Sequence, residues 1–277
     1  MNKFTTAFAC LGLLLSVSAL SAQEAKFPPV PSAPCVAHRG FSAVAPENTI
    51  ASLKKAIEVG AQGSETDVYT TTDGVLFCMH DGNLKRTTGL DKPCAQVDFP
   101  TLATLDNSNG FDEFKGEHVA TFDQYLATLK GTKTRPIIEV KQNGFSDKIV
   151  AYVRAYDMVD EAIVIDFSAE RVAQVRQLEP NLCCAWLTSL AKDETPVQCA
   201  ERIVKTLKKI NTNVVDVHFG AVNEEFLKIM ADNGITVMVW TVDNPKDIER
   251  MVSLGIPSIT TNRPDLVLEA QKKAAKK

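Results

Sequence analysis

The chain has 277 residues, of which 45% are hydrophobic and 23% are charged. Such a composition is enough to bury a large core, so it excludes a chain that is disordered along its length. Lysine and arginine number 30 against 34 acidic residues, a net charge of −4. That balance argues against a protein that coats nucleic acid, and it leaves small polar or anionic substrates open.

The first 22 residues differ in composition from the rest of the chain. Lys3 precedes an almost uncharged apolar run at residues 8–20, and Ser21-Ala22 offers small residues for cleavage. This pattern is typical of a secretory signal peptide. The run is too short for a comfortable transmembrane helix, and no later stretch reaches about 18 apolar residues. We therefore expect an exported protein, periplasmic or extracellular, without a stable membrane anchor.

Six cysteines follow this segment, at positions 35, 78, 94, 183, 184 and 199. An even number in an export compartment favours disulfides, although the spacing does not reveal which residues pair. No pair has the spacing of a zinc knuckle, and Cys78 and Cys183 fall in apolar runs that favour buried thiols. We expect structural cysteines with one or two bridges.

A proline-rich segment, residues 23–34, precedes the barrel-like domain predicted for residues 35–277. Its second part reads Phe-Pro-Pro-Val-Pro-Ser-Ala-Pro. Because proline holds the backbone extended, we expect a connector with no packed partner of its own.

Beyond residue 35, short β-branched runs alternate with amphipathic segments of helical period. The predicted strands are residues 35–38, 63–69, 75–80, 136–141, 162–167, 183–187, 213–219, 235–242 and 258–261. The first helix is predicted from Ile50, Leu53 and Ile57, with Asn48 as its N-cap and Gly60 as its end. Further helices are predicted at 122–129, 149–156, 169–178, 197–210, 224–233, 245–254 and 264–275.

The alternation of these elements predicts the fold. Residues 75–80 are interpreted as a hairpin extension of the second strand, which leaves eight strands, each followed by a helix or a loop excursion. Eight such units predict an α/β fold, a closed (β/α)8 TIM barrel with a polar excursion at 82–122 after the second strand. An open doubly wound sheet shows the same alternation and remains the competing fold.

Three acidic residues stand on two of the predicted strands. Glu65 and Asp67 are two residues apart, so both carboxylates lie on one face of a strand, and Glu139 lies on the next barrel strand. Buried carboxylates need partners, and three oxygen ligands without a soft one favour Ca²⁺ or Mg²⁺ over zinc. A solvated strand end is the alternative interpretation.

Two histidines end predicted strands close to basic residues. His38 and His80 carry the side chain best suited to proton transfer near neutral pH, although a single histidine is more often a hydrogen-bonded core group. Arg39 and Lys141 add donors for phosphoryl oxygens. Together with a metal site, these groups point to phosphodiester cleavage.

Several short motifs carry these residues in a fixed order. They are Ala37-His38-Arg39-Gly40, Ala45-Pro46-Glu47-Asn48-Thr49, Glu65-Thr66-Asp67, His80-Asp81, Leu84-Lys85-Arg86-Thr87-Thr88-Gly89, Ile138-Glu139-Val140-Lys141 and Val239-Trp240-Thr241-Val242. In order and spacing, over residues 35–270, they resemble the glycerophosphodiester phosphodiesterase family. The resemblance implies a (β/α)8 barrel that hydrolyses glycerophosphodiesters to glycerol 3-phosphate and an alcohol with a divalent cation.

The resemblance also implies a role for each matching residue. Glu65, Asp67 and Glu139 become the metal ligands. His38 and His80 become the acid-base pair of a two-step reaction, through a cyclic phosphate that water then opens. We favour His38 as first-step base and His80 as acid; the reverse order, and a direct attack by water that uses the same residues, stay open.

The same comparison assigns substrate contacts. Arg39 and Lys141 would bind the phosphate, and Trp240 would form a wall of the glycerol pocket, with an ordinary core tryptophan as the alternative. Glu47 and Asn48 are expected to shape the loop and cap the first helix.

One departure and two other functions stay open at this point. The family often has aspartate where this chain has Asn262, and we expect altered substrate choice or packing from that change. The alternative functions are a phospholipase C/D-like enzyme, which acts on intact lipid or stops at a cyclic phosphate, and a non-catalytic barrel that binds ligands. His218 ends the sixth barrel strand within reach of substrate, but neither it nor His118 belongs to a motif.

Overall fold

Nine strands and ten helices make up the regular structure of residues 27–276, the part of the chain that the computed structural model describes. The strands are β1 (Cys35–Ala37), β2 (Gly63–Thr70), β3 (Leu76–Cys78), β4 (Arg135–Val140), β5 (Ile163–Asp166), β6 (Cys183–Thr188), β7 (Val214–His218), β8 (Thr236–Trp240) and β9 (Ser258–Thr261). The helices are α1 (Ile50–Val59), α2 (Lys85–Thr88), α3 (Phe99–Leu102), α4 (Phe122–Leu129), α5 (Ser146–Ala155), α6 (Ala169–Leu178), α7 (Pro196–Ile210), α8 (Glu224–Asp232), α9 (Pro245–Ser253) and α10 (Pro264–Ala274). The predicted signal peptide lies outside the described residues.

Eight of the strands close into a parallel barrel. Each pairs with the next in the order β1, β2, β4, β5, β6, β7, β8 and β9, and β9 pairs back with β1. The remaining strand, β3, runs antiparallel to β2 outside the ring, as predicted for the hairpin. The TIM barrel is confirmed and the open doubly wound sheet is wrong, because β1 has a partner on both sides.

Helix α1 begins at a different residue from the predicted cap. The Thr49 side chain accepts a hydrogen bond from the backbone N–H of Ser52, and Ser52 Oγ accepts one from the backbone N–H of Thr49. This reciprocal arrangement satisfies two backbone donors at the helix end. Asn48 is therefore not the N-cap. Its backbone has φ of 56°, and its side chain reaches strand β2 instead.

The floor of the barrel, at the N-terminal ends of the strands, is filled by apolar side chains. They include Ala33, Val36, Ile137, Ile163, Cys183 and Val214, and Val30 packs against this cluster. The end of the proline-rich segment thus has packed partners, contrary to expectation. The backbone of this segment is also hydrogen-bonded to the barrel. Ser258 Oγ, on β9, donates to the carbonyl oxygen of Ala33 over 2.8 Å.

The excursion after β3 is a packed structure with an apolar cluster of its own. Phe77, Met79, Leu84, Val97 and Leu102 are buried together there. This cluster holds the loop that follows β3, and with it the residues from His80 to α2, in a defined position over the mouth of the barrel. No helix in residues 27–276 combines the length and apolar character needed to cross a bilayer.

All six cysteines between residues 35 and 199 are buried free thiols. The expectation of one or two disulfide bridges is wrong for this structure. Each thiol occupies the place of a small apolar side chain, and burial raises the pKa of Cys35, Cys78 and Cys94 to about 12.

Candidate active site

Three carboxylates meet at the C-terminal ends of β2 and β4. Asp67 and Glu139 are direct neighbours in the parallel register, and Glu65 precedes Asp67 on the same face of β2. One oxygen of each residue lies within 4.8 Å of the others. Burial and the charges of Asp67 and Glu139 raise the pKa of Glu65 well above its usual value, and burial with the charge of Asp67 raises that of Glu139 to about 7.

Asp67 is the most strongly bound member of this group. Burial opposes its ionisation, but the charges of Lys141 and Arg39, with further help from the Asn48 hydrogen bond, contribute to a pKa below the usual value. Asn48 Nδ2 donates a hydrogen bond to Asp67 Oδ2 over 2.8 Å. Lys141 Nζ lies 2.9 Å from Glu139 Oε1 and 3.2 Å from Asp67 Oδ1, so this predicted phosphate ligand is paired with the acids.

The chemistry of the three carboxylates fits a divalent cation. The donors are hard oxygens, as Ca²⁺ and Mg²⁺ prefer, and Glu65 and Asp67 are almost fully buried. Within residues 27–276, Asp67 Oδ1 makes no hydrogen bond of regular geometry. The raised pKa values of Glu65 and Glu139 show that the neighbouring cations, Arg39 and Lys141, do not fully compensate three ionised carboxylates. A buried uncompensated charge is costly, so a bound cation would stabilise the arrangement.

His38 is oriented by a neutral partner. Its Nδ1 lies 2.8 Å from Asn262 Oδ1, while Asn262 Nδ2 donates to Asp243 Oδ2 over 2.6 Å. Because the amide oxygen can only accept, His38 carries its proton on Nδ1 and leaves Nε2 unprotonated, 4.0 Å from Glu65 Oε2. Burial and the charge of Arg39 lower the pKa of His38 to about 4.

His80 is oriented by a carboxylate instead. Its Nδ1 lies 2.7 Å from Asp81 Oδ1, and Arg86 Nε donates to Asp81 Oδ2 over 2.7 Å. The same Arg86 binds Glu47 with two hydrogen bonds of 2.8 Å, and Glu47 accepts another from Arg39. A continuous chain of charged groups therefore connects the loop of His80 to the loop of His38.

The backbone between His38 and helix α1 depends on a glycine. Gly40 has φ of 78°, and a Cβ atom on it would lie 2.4 Å from Ser52 Oγ and 2.6 Å from the Ser52 backbone. Only glycine allows this approach. The turn places the backbone N–H of Arg39 2.9 Å from Glu65 Oε2.

A cavity of about 150 Å³ opens between these groups. Its walls include both histidines, Arg39, Glu65 and Glu139 on one side and apolar or neutral groups on the other, namely Ile165, Phe167, Leu187, Trp240, Thr241 and Thr260, together with Asp216. Asp67 and Lys141 lie behind this lining. The structure thus brings all eight predicted site residues to one mouth, six of them on the cavity wall.

Trp240 forms part of the cavity wall and is fixed there. Its Nε1 donates to the backbone oxygen of Asp216 over 3.2 Å, and its ring packs edge-on against Phe167 at 5.5 Å. His218 packs against the other side of the indole at 5.4 Å. His118 lies in the excursion, where its Nδ1 is 3.0 Å from Leu105 O.

The sequence pattern gave no site role to several residues that bind the site residues or line the cavity. Asn48 was expected only to cap a helix, and Asp81 and Arg86 were quoted in motifs without a role. Asp216 was overlooked, although it interrupts an apolar strand, Val-Val-Asp-Val, in the way that drew attention to Glu65. A single acidic residue within an apolar strand was therefore the signal that could have identified Asp216 as a site residue.

Residues 38–266 match the model of the glycerophosphoryl diester phosphodiesterase family. A glycerophosphodiester phosphodiesterase of Caldanaerobacter subterraneus subsp. tengcongensis is 28% identical over 244 residues, 86% of this chain and 97% of that protein. One from Bacillus subtilis is 30% identical over 258 residues, 86% of each. The crystal structure of a glycerophosphodiester phosphodiesterase from Agrobacterium tumefaciens is 27% identical, with a TM-score of 0.73 over 85% of this chain and 98% of that one.

Proposed function

Because the chain belongs to the glycerophosphoryl diester phosphodiesterase family, we propose that it is an exported, metal-dependent enzyme that hydrolyses glycerophosphodiesters to glycerol 3-phosphate and an alcohol. The observation that carries the proposal is the meeting of two histidines and three carboxylates around one cavity. Its partner is a small-molecule diester, and no nucleic acid is involved.

Glu65, Asp67 and Glu139 would hold the divalent cation, Ca²⁺ or Mg²⁺. When bound, it supplies positive charge next to the phosphoryl oxygens and lowers the pKa of a nearby hydroxyl group. The charge of Lys141 lowers the pKa of both Asp67 and Glu139, which favours the ionised forms that bind a cation.

Arg39 is placed to bind a phosphoryl oxygen. Its Nη1 donates to Glu47 and its Nε lies 3.5 Å from Asp67 Oδ2, so both groups fix the guanidinium at the cavity wall. A negatively charged oxygen in the cavity would gain a charge-assisted hydrogen bond from this guanidinium. The charge that grows on the phosphorus oxygens during the reaction would strengthen that bond.

The two histidines would move the protons. His38 Nε2 takes the proton of the glycerol hydroxyl next to the phosphate, since its Nδ1 is committed to Asn262. The hydroxyl oxygen bonds to phosphorus, the bond to the head-group alcohol breaks, and His80 gives its proton to that alcohol. Asp81 orients His80 for this step, because its Oδ1 lies 2.7 Å from His80 Nδ1.

The resulting cyclic phosphate would be opened by water. His80, now neutral, takes a proton from water as the water oxygen bonds to phosphorus. The bond to the glycerol oxygen breaks, and His38 returns its proton to that oxygen. Both histidines regain their first protonation states, and the products are glycerol 3-phosphate and the alcohol.

The experiment uses the full chain, expressed with its N-terminal segment and recovered from medium, periplasm and cytoplasm. Export predicts the shortened protein in the first two fractions. The purified protein is incubated with glycerophosphocholine and glycerophosphoethanolamine, with and without EDTA, and glycerol 3-phosphate is measured. Turnover that survives EDTA contradicts the metal assignment.

Phosphorus NMR of the products separates this function from its alternatives. Glycerol 3-phosphate is the expected product. Accumulation of a cyclic phosphate, or turnover of intact phospholipid in preference to deacylated substrate, favours the phospholipase-like function. Binding of either diester without turnover favours a non-catalytic barrel.

A further inference from the structure

A fourth acid lies in the cavity and takes no part in the site described above. Asp216 is only 1% exposed, lies at the centre of β7 and lines the cavity. Within residues 27–276, neither of its carboxylate oxygens has a hydrogen-bond partner. Buried polar groups are almost always bonded, so an unpaired carboxyl group needs an explanation.

The surroundings of Asp216 show that the protein provides it with no partner. Its neighbours in the sheet are Leu187 on β6 and Met238 on β8, both apolar. The other three acids of the mouth have partners: Glu65 accepts from a backbone N–H, while Asp67 and Glu139 pair with Lys141. An acid that is buried without a partner destabilises the folded chain. A ligand that forms hydrogen bonds with the acid removes this cost, so we expect the partner of Asp216 to be a ligand.

The same cavity contains a second unpaired polar atom. The hydroxyl oxygen of Thr260, on β9, is buried without a hydrogen-bond partner in the described part of the chain. A carboxyl group and a hydroxyl among the apolar side chains of this cavity, Ile165, Leu187 and Trp240, are suited to a ligand that carries alcohol groups. A quaternary ammonium group forms no such hydrogen bonds.

Asp216 lies inside the cavity, so the part of the substrate that reaches it is the part that does not face solvent. The head group of a diester varies and must have room towards solvent, where Phe167 is 49% exposed. The glycerol is the constant part, so it is assigned to the part of the cavity lined by Trp240, whose indole is bonded to the backbone of Asp216.

We infer that Asp216 binds the terminal hydroxyl of the substrate glycerol and determines the preference for glycerol over diols that lack this hydroxyl. The inference rests on the proposed function and names the residue that recognises its substrate. Thr260 contributes a second, weaker hydrogen bond to the same group.

The test compares two substrates of the metal-loaded full-length protein. One is glycerophosphocholine, and the other is 2-hydroxypropyl phosphocholine, which keeps the reacting hydroxyl and has a methyl group in place of the terminal hydroxymethyl. The wild type is expected to prefer glycerophosphocholine by about 100-fold in kcat/KM, since a site built for a hydroxyl rejects the analogue without it. In Asp216→Leu this preference falls to about threefold or less, mainly through KM for glycerophosphocholine.

Two matched variants separate recognition from folding. Asp216→Asn keeps a hydrogen-bonding group and should retain most of the preference, and Thr260→Val should reduce it by about threefold. Asp216→Leu should melt at or above the wild-type temperature, because it removes an unpaired buried acid. An equal loss on both substrates, an unchanged preference, or a lower melting temperature with lower activity overturns the inference.

A binding measurement keeps this result distinct from failure of the proposed function. Calorimetry should show sn-glycerol 3-phosphate binding the wild type more tightly than 2-hydroxypropyl phosphate, and Asp216→Leu binding the two alike. If neither diester is hydrolysed, the proposed function fails. The calorimetric preference then decides the role of Asp216 separately.

Discussion

The floor and the mouth of the barrel are built from the same eight strands, yet they differ in almost every property. On β4, Ile137 packs in the apolar floor, and Glu139, two residues further along, belongs to the acidic cluster. On β7 the same step leads from Val214 to Asp216. One strand thus carries stability at one end and chemistry at the other, which is the division expected of this fold.

The difference also appears in how each end tolerates change. Side chains of the floor contribute packing energy, so their loss should reduce stability. Carboxylates of the mouth repel one another, so their loss should reduce activity and leave stability unchanged or higher. Four predictions test this contrast.

Replacing Glu65 with glutamine should have the largest effect. The change removes a metal ligand whose pKa is raised by burial and by its acidic neighbours, so kcat/KM should fall by about 10³-fold. The melting temperature should stay level or rise, because one repelling charge disappears. Steady-state kinetics with saturating metal and thermal unfolding without metal provide the two measurements. The exposed Glu58→Gln is the matched control, and a large loss of stability in Glu65→Gln would break the contrast.

Replacing Ile163 with alanine should produce the opposite result. Ile163 is 1% exposed in the floor, so its truncation should lower the free energy of unfolding by about 3 kcal/mol. At a temperature where the variant stays folded, kcat should remain within about twofold of wild type. Urea unfolding and kinetics check this. A stable variant with strongly reduced kcat would show that the two ends are coupled.

Replacing His80 with asparagine should lower kcat by about 10²-fold, as expected for loss of a general acid. The loss should be smaller for a substrate whose leaving group is p-nitrophenol, since that group departs without a proton. Comparing p-nitrophenyl and choline diesters measures this. Asp81 keeps a hydrogen-bonding partner in this variant, so circular dichroism should match wild type. Equal losses on both substrates would contradict the assignment of His80 as the acid.

Exchanging the charges behind His38 should shift the pH dependence by about one unit. In Asn262→Asp with Asp243→Asn, the hydrogen bonds remain and the net charge is constant, but a carboxylate now faces His38 Nδ1. A carboxylate stabilises the imidazolium and raises its pKa from about 4. Because the base must be neutral, activity on the acid side should be lost at a higher pH. The pH profile of kcat/KM checks this prediction; no shift, or a shift to lower pH, would contradict it.

Most of the fold could be predicted, because periodicity and capping act over short distances. Helices α4 and α6 have their predicted bounds, and the prolines at 245 and 264 begin helices as expected. The cap of α1 was assigned to the wrong residue, since Asn48 and Thr49 both suit that position. The hydrogen bonds of Asn48 with Thr66 and Asp67 on β2, which are distant in the chain, draw it away from that position.

The sequence alone determined the alternation of strands and helices and the residue types suited to the chemistry, since both depend on neighbours a few positions apart. Closure of the barrel brought Glu65, Glu139 and His38 together, because strand pairing joins residues that are distant in the chain. It also left Asp216 without a partner, bonded Asn262 to His38 and buried six thiols apart from any bridge. Which side chains find a partner is decided by packing in three dimensions, and no local pattern carries that information.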